Sequence, residues 1–229
     1  MDLSLLDFEP FLLSFKLAGI TTLILFIIAM PISWWLSQTD CRCKPFVEAF
    51  TSLPIVLPPS VLGFYILFSL SHNSPIGAFF EDTFGIKLVF NFTGLVIASC
   101  FYSFPFMVQP LQGGFESLNK NMIEASYIAG KSRFQTLICV AIPNIKPAVL
   151  TALIVTFAHT VGEFGVVLMV GGSIPGETKV ASVAIYEFVE VMDYSQAHVY
   201  SAIMLILSFV VLLGVSLFNR RHNKRIGVR

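Results

Sequence analysis

VYSAIMLILSFVVLLGVSLFN, residues 199–219, runs from His198 to Arg220 without an ionisable side chain. In a helix that rises 1.5 Å per residue, about 20 such residues cross about 30 Å of hydrocarbon, so the segment reads as a transmembrane helix. Four further apolar runs have the same reach, at 17–39, 52–70, 92–111 and 147–170. Composition agrees: 55% of the 229 residues are hydrophobic, only 12% are charged, and the mean hydropathy is +0.80. Soluble domains are about a quarter charged, and disordered chains need low hydrophobicity with excess charge. What remains is an all-α integral membrane protein, a bundle of five transmembrane helices. The balance of 14 basic against 14 acidic side chains leaves no basic face for nucleic acid.

Lysine and arginine set the orientation, because short loops rich in them stay on the cytoplasmic side. Arg42 and Lys44 follow the first span, Lys120, Lys131, Arg133 and Lys146 follow the third, and Arg220, Arg221, Lys224, Arg225 and Arg229 follow the fifth. The opposite loops hold Asp2, Asp7, Glu9, Glu81, Asp82, Glu177, Glu187, Glu190 and Asp193, with Lys16, Lys87 and Lys179 as their cations. The N-terminus is therefore expected outside and the C-terminus inside. The chain divides into an external segment 1–16, a transmembrane domain 17–218 with a cytoplasmic loop 113–146, and a basic cytoplasmic tail 219–229. Its first residues, MDLSLLDFEP, are acidic where a secretory signal is basic, so the first span is expected to be retained. The segment 180–191 is too short and too acidic to cross, and reads as an external interfacial helix.

Prolines interrupt two spans: Pro54, Pro58 and Pro59 in the second, Pro105 and Pro110 in the third. Each removes a backbone donor and clashes with the preceding turn, and in lipid the freed carbonyls need partners. Broken helices at these prolines, with Gly63 nearby, are expected to line a pathway. Cys41, Cys43, Cys100 and Cys139 lack zinc-site spacing and read as reduced thiols. Trp34 and Trp35 close the first span as interface anchors.

The cytoplasmic loop is the most patterned segment. In MIEASYIAGKSRFQTLICVAIPNIKP, residues 122–147, Met122, Ile123, Ala125 and Ala129 form one apolar group, and Phe134, Leu137, Ile138 and Ala141 form a second. Gly130 supplies a turn between them, Ser132 can cap the second helix, and Pro143 is expected to stop it. The product is an amphipathic helix-turn-helix suited to docking on another protein.

These residues resemble the permease subunits of type I ATP-binding-cassette importers, which share the pattern EAA, three residues, Gly, nine residues, Ile-x-Leu-Pro. Glu124, Ala125, Ser126, Gly130, Val140, Ile142 and Pro143 occupy that spacing, with Ser in place of the second Ala and with Val140 and Ile142 in the apolar slots. Across nearly the whole chain the sequence is similar to the molybdate permeases of that family. The matching segments are 53–63, 103–108, Gly162-Glu163-Phe164-Gly165 and Ile174-Pro175-Gly176-Glu177-Thr178, the last followed by Ala184-Ile185-Tyr186. The resemblance implies a type I importer bundle in a bacterial inner membrane. It also implies a homodimer, two cytoplasmic ATPase subunits that use ATP and Mg, and an external molybdate-binding protein. The EAA-type residues would couple the permease to the ATPase.

The chain itself has no GxxxxGK[ST] phosphate loop, and no catalytic set or metal cluster can be assembled from it. No cofactor is expected on it; lipid is its remaining partner. The span interiors lack Lys and Arg, so the path is expected to bind its anion weakly. Pro58, Pro59, Gly63, Gly162, Glu163 and Gly165 are the pathway or gate candidates. Glu163, the one carboxylate inside a span, reads equally as a gate or interface contact and as a carboxylate bonded to nearby donors, with His159 on the same helical face. A sulfate, thiosulfate or tungstate permease is the alternative substrate reading. An ion-coupled secondary transporter, using Glu163 and His159 as a proton relay, is the alternative in another class.

Overall fold

Two successive prolines decide the first break in the chain. A residue before proline is driven out of the α region, and here Leu57 precedes Pro58 while Pro58 precedes Pro59. Both adopt extended backbone, with ψ of 136° and 138°, and the helices on either side meet at a bend of 111°. The computed structural model describes residues 7–226. Residues 1–6 of the expected external segment and 227–229 of the basic tail lie outside the described residues.

All regular elements among the described residues are helical, as the composition predicts. They are α1 (Glu9–Gln38), α2 (Lys44–Val56), α3 (Pro59–Leu70), α4 (Pro75–Phe84), α5 (Phe92–Glu116), α6 (Lys120–Ile128), α7 (Arg133–Thr136), a π-helical turn (Leu137–Ala141), α8 (Ile142–Asn144), α9 (Lys146–Val161), α10 (Gly165–Gly171), α11 (Ala181–Glu190) and α12 (Tyr194–Ile226). Among the described residues three helices, α1, α5 and α12, are long and apolar enough to cross a membrane, and up to five spans result if each bent pair is one span. Helix α1 begins at Glu9, ahead of the expected boundary at 17, and α12 continues through 219–226 into the basic segment.

The prolines do not all act alike. Pro105 and Pro110 lie inside α5 without interrupting it, contrary to the expectation of a broken third span. Helix α5 is the central element, packed against α1, α9, α10 and α2, and this packing outweighs two lost hydrogen bonds. The fourth run does break, between Val161 and Gly165, where no proline signals it.

Hydrophobic burial falls into layers along α5. At one end Leu25, Met30 and Trp34 of α1 meet Met107, Leu111 and Phe115 of α5, Ile123 of α6, and Ala152 of α9. At the other end Leu13 and Leu17 meet Leu95, Val167 of α10, and Val183 of α11. Close approach is enforced by Gly114: a Cβ there would lie 2.5 Å from Ala148 Cβ on the neighbouring α9. Helix α12 sits outermost, with Leu205, Ile206 and Phe209 58–70% exposed, an apolar surface of the kind that faces lipid.

The polar groups segregate by end. Lys44 pairs with Glu48 at 3.8 Å and Glu116 at 3.5 Å, and Gln112 donates to both carboxylates, tying the start of α2 to the end of α5. At the opposite end Lys16 stands 4.7 Å over the Phe92 ring, Tyr200 donates to the Asp7 carbonyl at 2.8 Å, and Ser14 accepts from the Ala181 amide at 2.9 Å. The start of α2 therefore lies beside the end of α5, and the first turns of α1, α5, α11 and α12 lie together at the opposite end. All four cysteines are free, and the Cys43 amide donates to Cys41 Sγ, which holds that exposed thiol below its ordinary pKa.

Candidate functional site

The loop between α5 and α9 folds as the expected helix-turn-helix. Helix α6 ends in paired reverse bonds: the Gly130 amide donates to the Tyr127 carbonyl at 2.9 Å and the Lys131 amide to the Ser126 carbonyl at 3.1 Å. This closing geometry requires a left-handed residue, and Gly130 has φ +78°. Ser132 then caps α7 by accepting from the Gln135 amide, while Gln135 Oε1 accepts from the Ser132 amide, a reciprocal capping box.

Glu124, Ala125 and Gly130 are exposed, Ile128 is 88% exposed, and Ser126 is buried. The serine has a reason to be there: its hydroxyl pairs with the buried Thr136 hydroxyl at 2.9 Å and locks α6 to α7. A ten-residue separation across a turn matches no helical period, so periodicity could not reveal this bond. Ser126→Ala should destabilise the solubilised chain by about 1–3 kcal/mol, because Thr136 keeps a buried hydroxyl without a partner. Thermal unfolding of the double variant with Thr136→Val should recover most of that loss; strictly additive losses would contradict the coupling.

The second helix ends one residue past Pro143. The π-helical turn at 137–141 widens the ladder ahead of it, Pro143 enters within the first two positions of α8, and Asn144 Nδ2 donates to the Val140 carbonyl at 2.7 Å. The helix ends at Asn144, followed by a bend of 83° into α9. Val140 and Ile142 are half-buried, and Pro143 is exposed.

Three of the pathway candidates converge on one contact. Helices α3 and α10 are the short arms after the two breaks, and they pack together. A Cβ on Gly165 would lie 2.8 Å from Pro59 Cβ, and one on Gly63 would lie 3.0 Å from Met169 Cβ and 3.3 Å from Val166 Cα. Pro58 lies exposed in the break itself, and Gly162 meets only its own helix, at 3.6 Å and beyond. Sequence reading missed what pins α10 in place. Ser182 donates to the Glu163 carbonyl at its start, and the buried Thr178 hydroxyl donates to the Gly171 carbonyl at 2.8 Å at its end.

Glu163 is 4% exposed, and neither carboxylate oxygen has a hydrogen-bond partner among the described residues. Its side chain faces Ser99 of α5. His159 is not on its helical face, because α9 ends at Val161 before Glu163 is reached. Instead His159 Nδ1 lies 3.0 Å from Ser103 Oγ, which is also 2.9 Å from Thr160 Oγ1. His159 thus bonds Ser103 while Glu163 stands unbonded near Ser99, one turn earlier on α5, and the two titratable groups make no ion pair among the described residues. With the unpartnered hydroxyls of Ser99 and Thr156, they form a polar seam between α5 and α9 inside an apolar bundle.

The family model described as "Binding-protein-dependent transport system inner membrane component" matches residues 14–228. The chain is 44% identical over 215 residues to a protein named molybdenum transport system permease protein ModB from Azotobacter vinelandii, covering 94% of this chain and 95% of that one. It is 32% identical to a probable sulfate transport system permease protein cysT from Chlorella vulgaris, over 92% of this chain and 79% of the relative. Its fold is that of a chain in a bacterial alginate ABC transporter crystallised with an alginate pentasaccharide-bound periplasmic protein. The TM-score is 0.74 at 16% identity, covering 94% of this chain and 79% of that chain.

Proposed function

We propose, from the premise that this chain belongs to the family of binding-protein-dependent transport system inner membrane components, that it is the permease subunit of an ATP-driven molybdate importer. As members of this family are, it is a multi-pass inner membrane protein and a transport subunit of an ABC importer, not an enzyme; a separate subunit hydrolyses ATP. The observation that carries the molybdate reading is the 44% identity to the molybdenum permease, spread over 94% of the chain, against 32% to the sulfate permease.

In this reading two copies of the chain form the path, two cytoplasmic ATPase subunits drive it, and an external binding protein delivers molybdate. The five spans are α1, α2 with α3, α5, α9 with α10, and α12. The N-terminus is outside and the C-terminus inside, because the lysine- and arginine-rich loops stay in the cytoplasm. Residues 1–16 form the external segment, 17–218 the transmembrane domain, 113–146 the coupling loop and 219–229 the basic tail. The ATPase docks on the exposed side of the coupling loop at Glu124, Ile128 and Gly130, and motion passes through the Ser126 to Thr136 lock into α9.

The interlocked arms α3 and α10 are the moving wall of the path. No lysine or arginine lies in the span interiors, and Glu163 is buried at the break between α9 and α10, so it is a closure residue and not a substrate ligand. A weakly binding path releases its cargo quickly, while affinity resides in the external protein. Proteoliposomes containing the chain, its ATPase and the external protein should take up labelled molybdate that sulfate, even in large excess, fails to displace. Displacement by equimolar sulfate would move the assignment to the sulfate permeases.

A further inference from the structure

The two tryptophans of the chain stand near the end of α1 and open onto a cavity of about 590 Å³ that the transport reading leaves unused. Its walls come from that helix end and from the coupling loop. Pro31 and Thr39 lie at the two ends of the helical wall, about 12 Å apart at 1.5 Å per residue of helix. Trp34 is recessed, 8% exposed and edge-on to Phe115 at 5.1 Å, whereas Trp35 is 44% exposed. The wall thus grades from apolar to aromatic to polar over the thickness of a membrane interface.

The chemistry of the rim is one-sided. Arg133 is the cation in the lining, it is exposed, and it takes part in no ion pair among the described residues. The Gln38 amide and the Thr39 hydroxyl add neutral donors beside it. No carboxylate contributes to the lining; Asp40 follows Thr39 outside it.

We propose that this cavity binds the headgroup of an anionic phospholipid, with Arg133 holding the phosphodiester and an acyl chain running inward along Pro31 and Leu137. A guanidinium pairs with phosphate oxygens through two parallel hydrogen bonds, and one arginine matches the single charge of a phosphodiester. A choline or ethanolamine headgroup brings a cation that finds no carboxylate in this wall, so phosphatidylglycerol is selected over zwitterionic lipids. Tryptophan and tyrosine favour the headgroup level, and Tyr127 completes that belt. Basic pockets at the cytoplasmic ends of membrane helices are suited to such headgroups. The inference rests on the reading that α1 crosses the bilayer and ends at the cytoplasmic interface.

Because Trp34 and Trp35 are the chain's full complement of tryptophan, selectively excited tryptophan fluorescence reports on this cavity. The full-length chain is placed in phosphatidylcholine nanodiscs doped with dibrominated phosphatidylglycerol or with dibrominated phosphatidylcholine. Half-quenching should need about fivefold less of the brominated phosphatidylglycerol. Arg133→Gln should erase the difference, Lys120→Gln should preserve it, and inorganic phosphate should leave it unchanged. Equal quenching by the two lipids in the unaltered chain overturns the proposal without need of any variant. So does a preference that survives Arg133→Gln, competition by inorganic phosphate, or loss of the preference when the ATPase subunit covers the loop. Absence of quenching by either lipid would instead contradict the membrane placement of α1.

Discussion

Gly130→Val is expected to reduce ATP-driven uptake at least tenfold and to weaken recovery of the ATPase with the chain, while membrane insertion stays normal. The reason is backbone geometry alone. Gly130 has φ +78°, and a Cβ there would meet nothing within 4 Å, so no side-chain clash is created. A β-branched residue resists the left-handed region, and forcing it there costs about 1–3 kcal/mol. That strain is relieved by opening the turn, which breaks the bonds from the Gly130 amide to Tyr127 and from the Lys131 amide to Ser126. A factor of ten corresponds to about 1.4 kcal/mol, so the coupling-competent shape becomes a minor population. Gly130→Asn, which tolerates the left-handed region, should retain most activity. Unchanged uptake by Gly130→Val would sink the assignment of this loop as the coupling element.

Gly165→Leu is expected to abolish uptake as well, by a different route. Its Cβ alone would lie 2.8 Å from Pro59 Cβ, and the remaining side-chain atoms would wedge α10 away from α3. Overpacking of this kind costs about 1–3 kcal/mol, and the thermal midpoint of the solubilised chain should fall by several degrees. Gly162→Ala is the matched control: its neighbours lie at 3.6 Å and beyond, and its φ of −85° suits any residue. Transport assays on the two variants should therefore separate two glycines of one GEFG segment. Equal sensitivity at both positions would contradict the interlocked arms.

Much of this was legible in the chain. Hydropathy located the apolar runs, and the glycine and serine spacing gave the helix-turn-helix. Three features were not legible, each for a physical reason. Proline acts on its predecessor, so the pair Pro58–Pro59 breaks a helix, whereas Pro105 and Pro110, held by packing on four sides, do not. The break at Gly162 to Phe164 has no proline and is fixed by tertiary bonds, from Ser182 to the Glu163 carbonyl and from Thr178 to the Gly171 carbonyl. Losing that helical continuity also separates His159 from Glu163, which a spacing of four residues would place on one face. Helix α4 was hidden in a connecting loop, although Ser74 caps its start and Gly85, at φ +65°, ends it.

The central claim is that an ATPase on the coupling-loop side drives this path. It is tested most directly by uptake into proteoliposomes holding the chain, its partner ATPase and the external binding protein, with ATP supplied only on the side that carries Glu124 and Gly130. Molybdate should accumulate on the ATP side at a rate that a protonophore does not change. Uptake that continues without ATP and collapses with the proton gradient would contradict the account and return Glu163 and His159 to consideration as a proton relay.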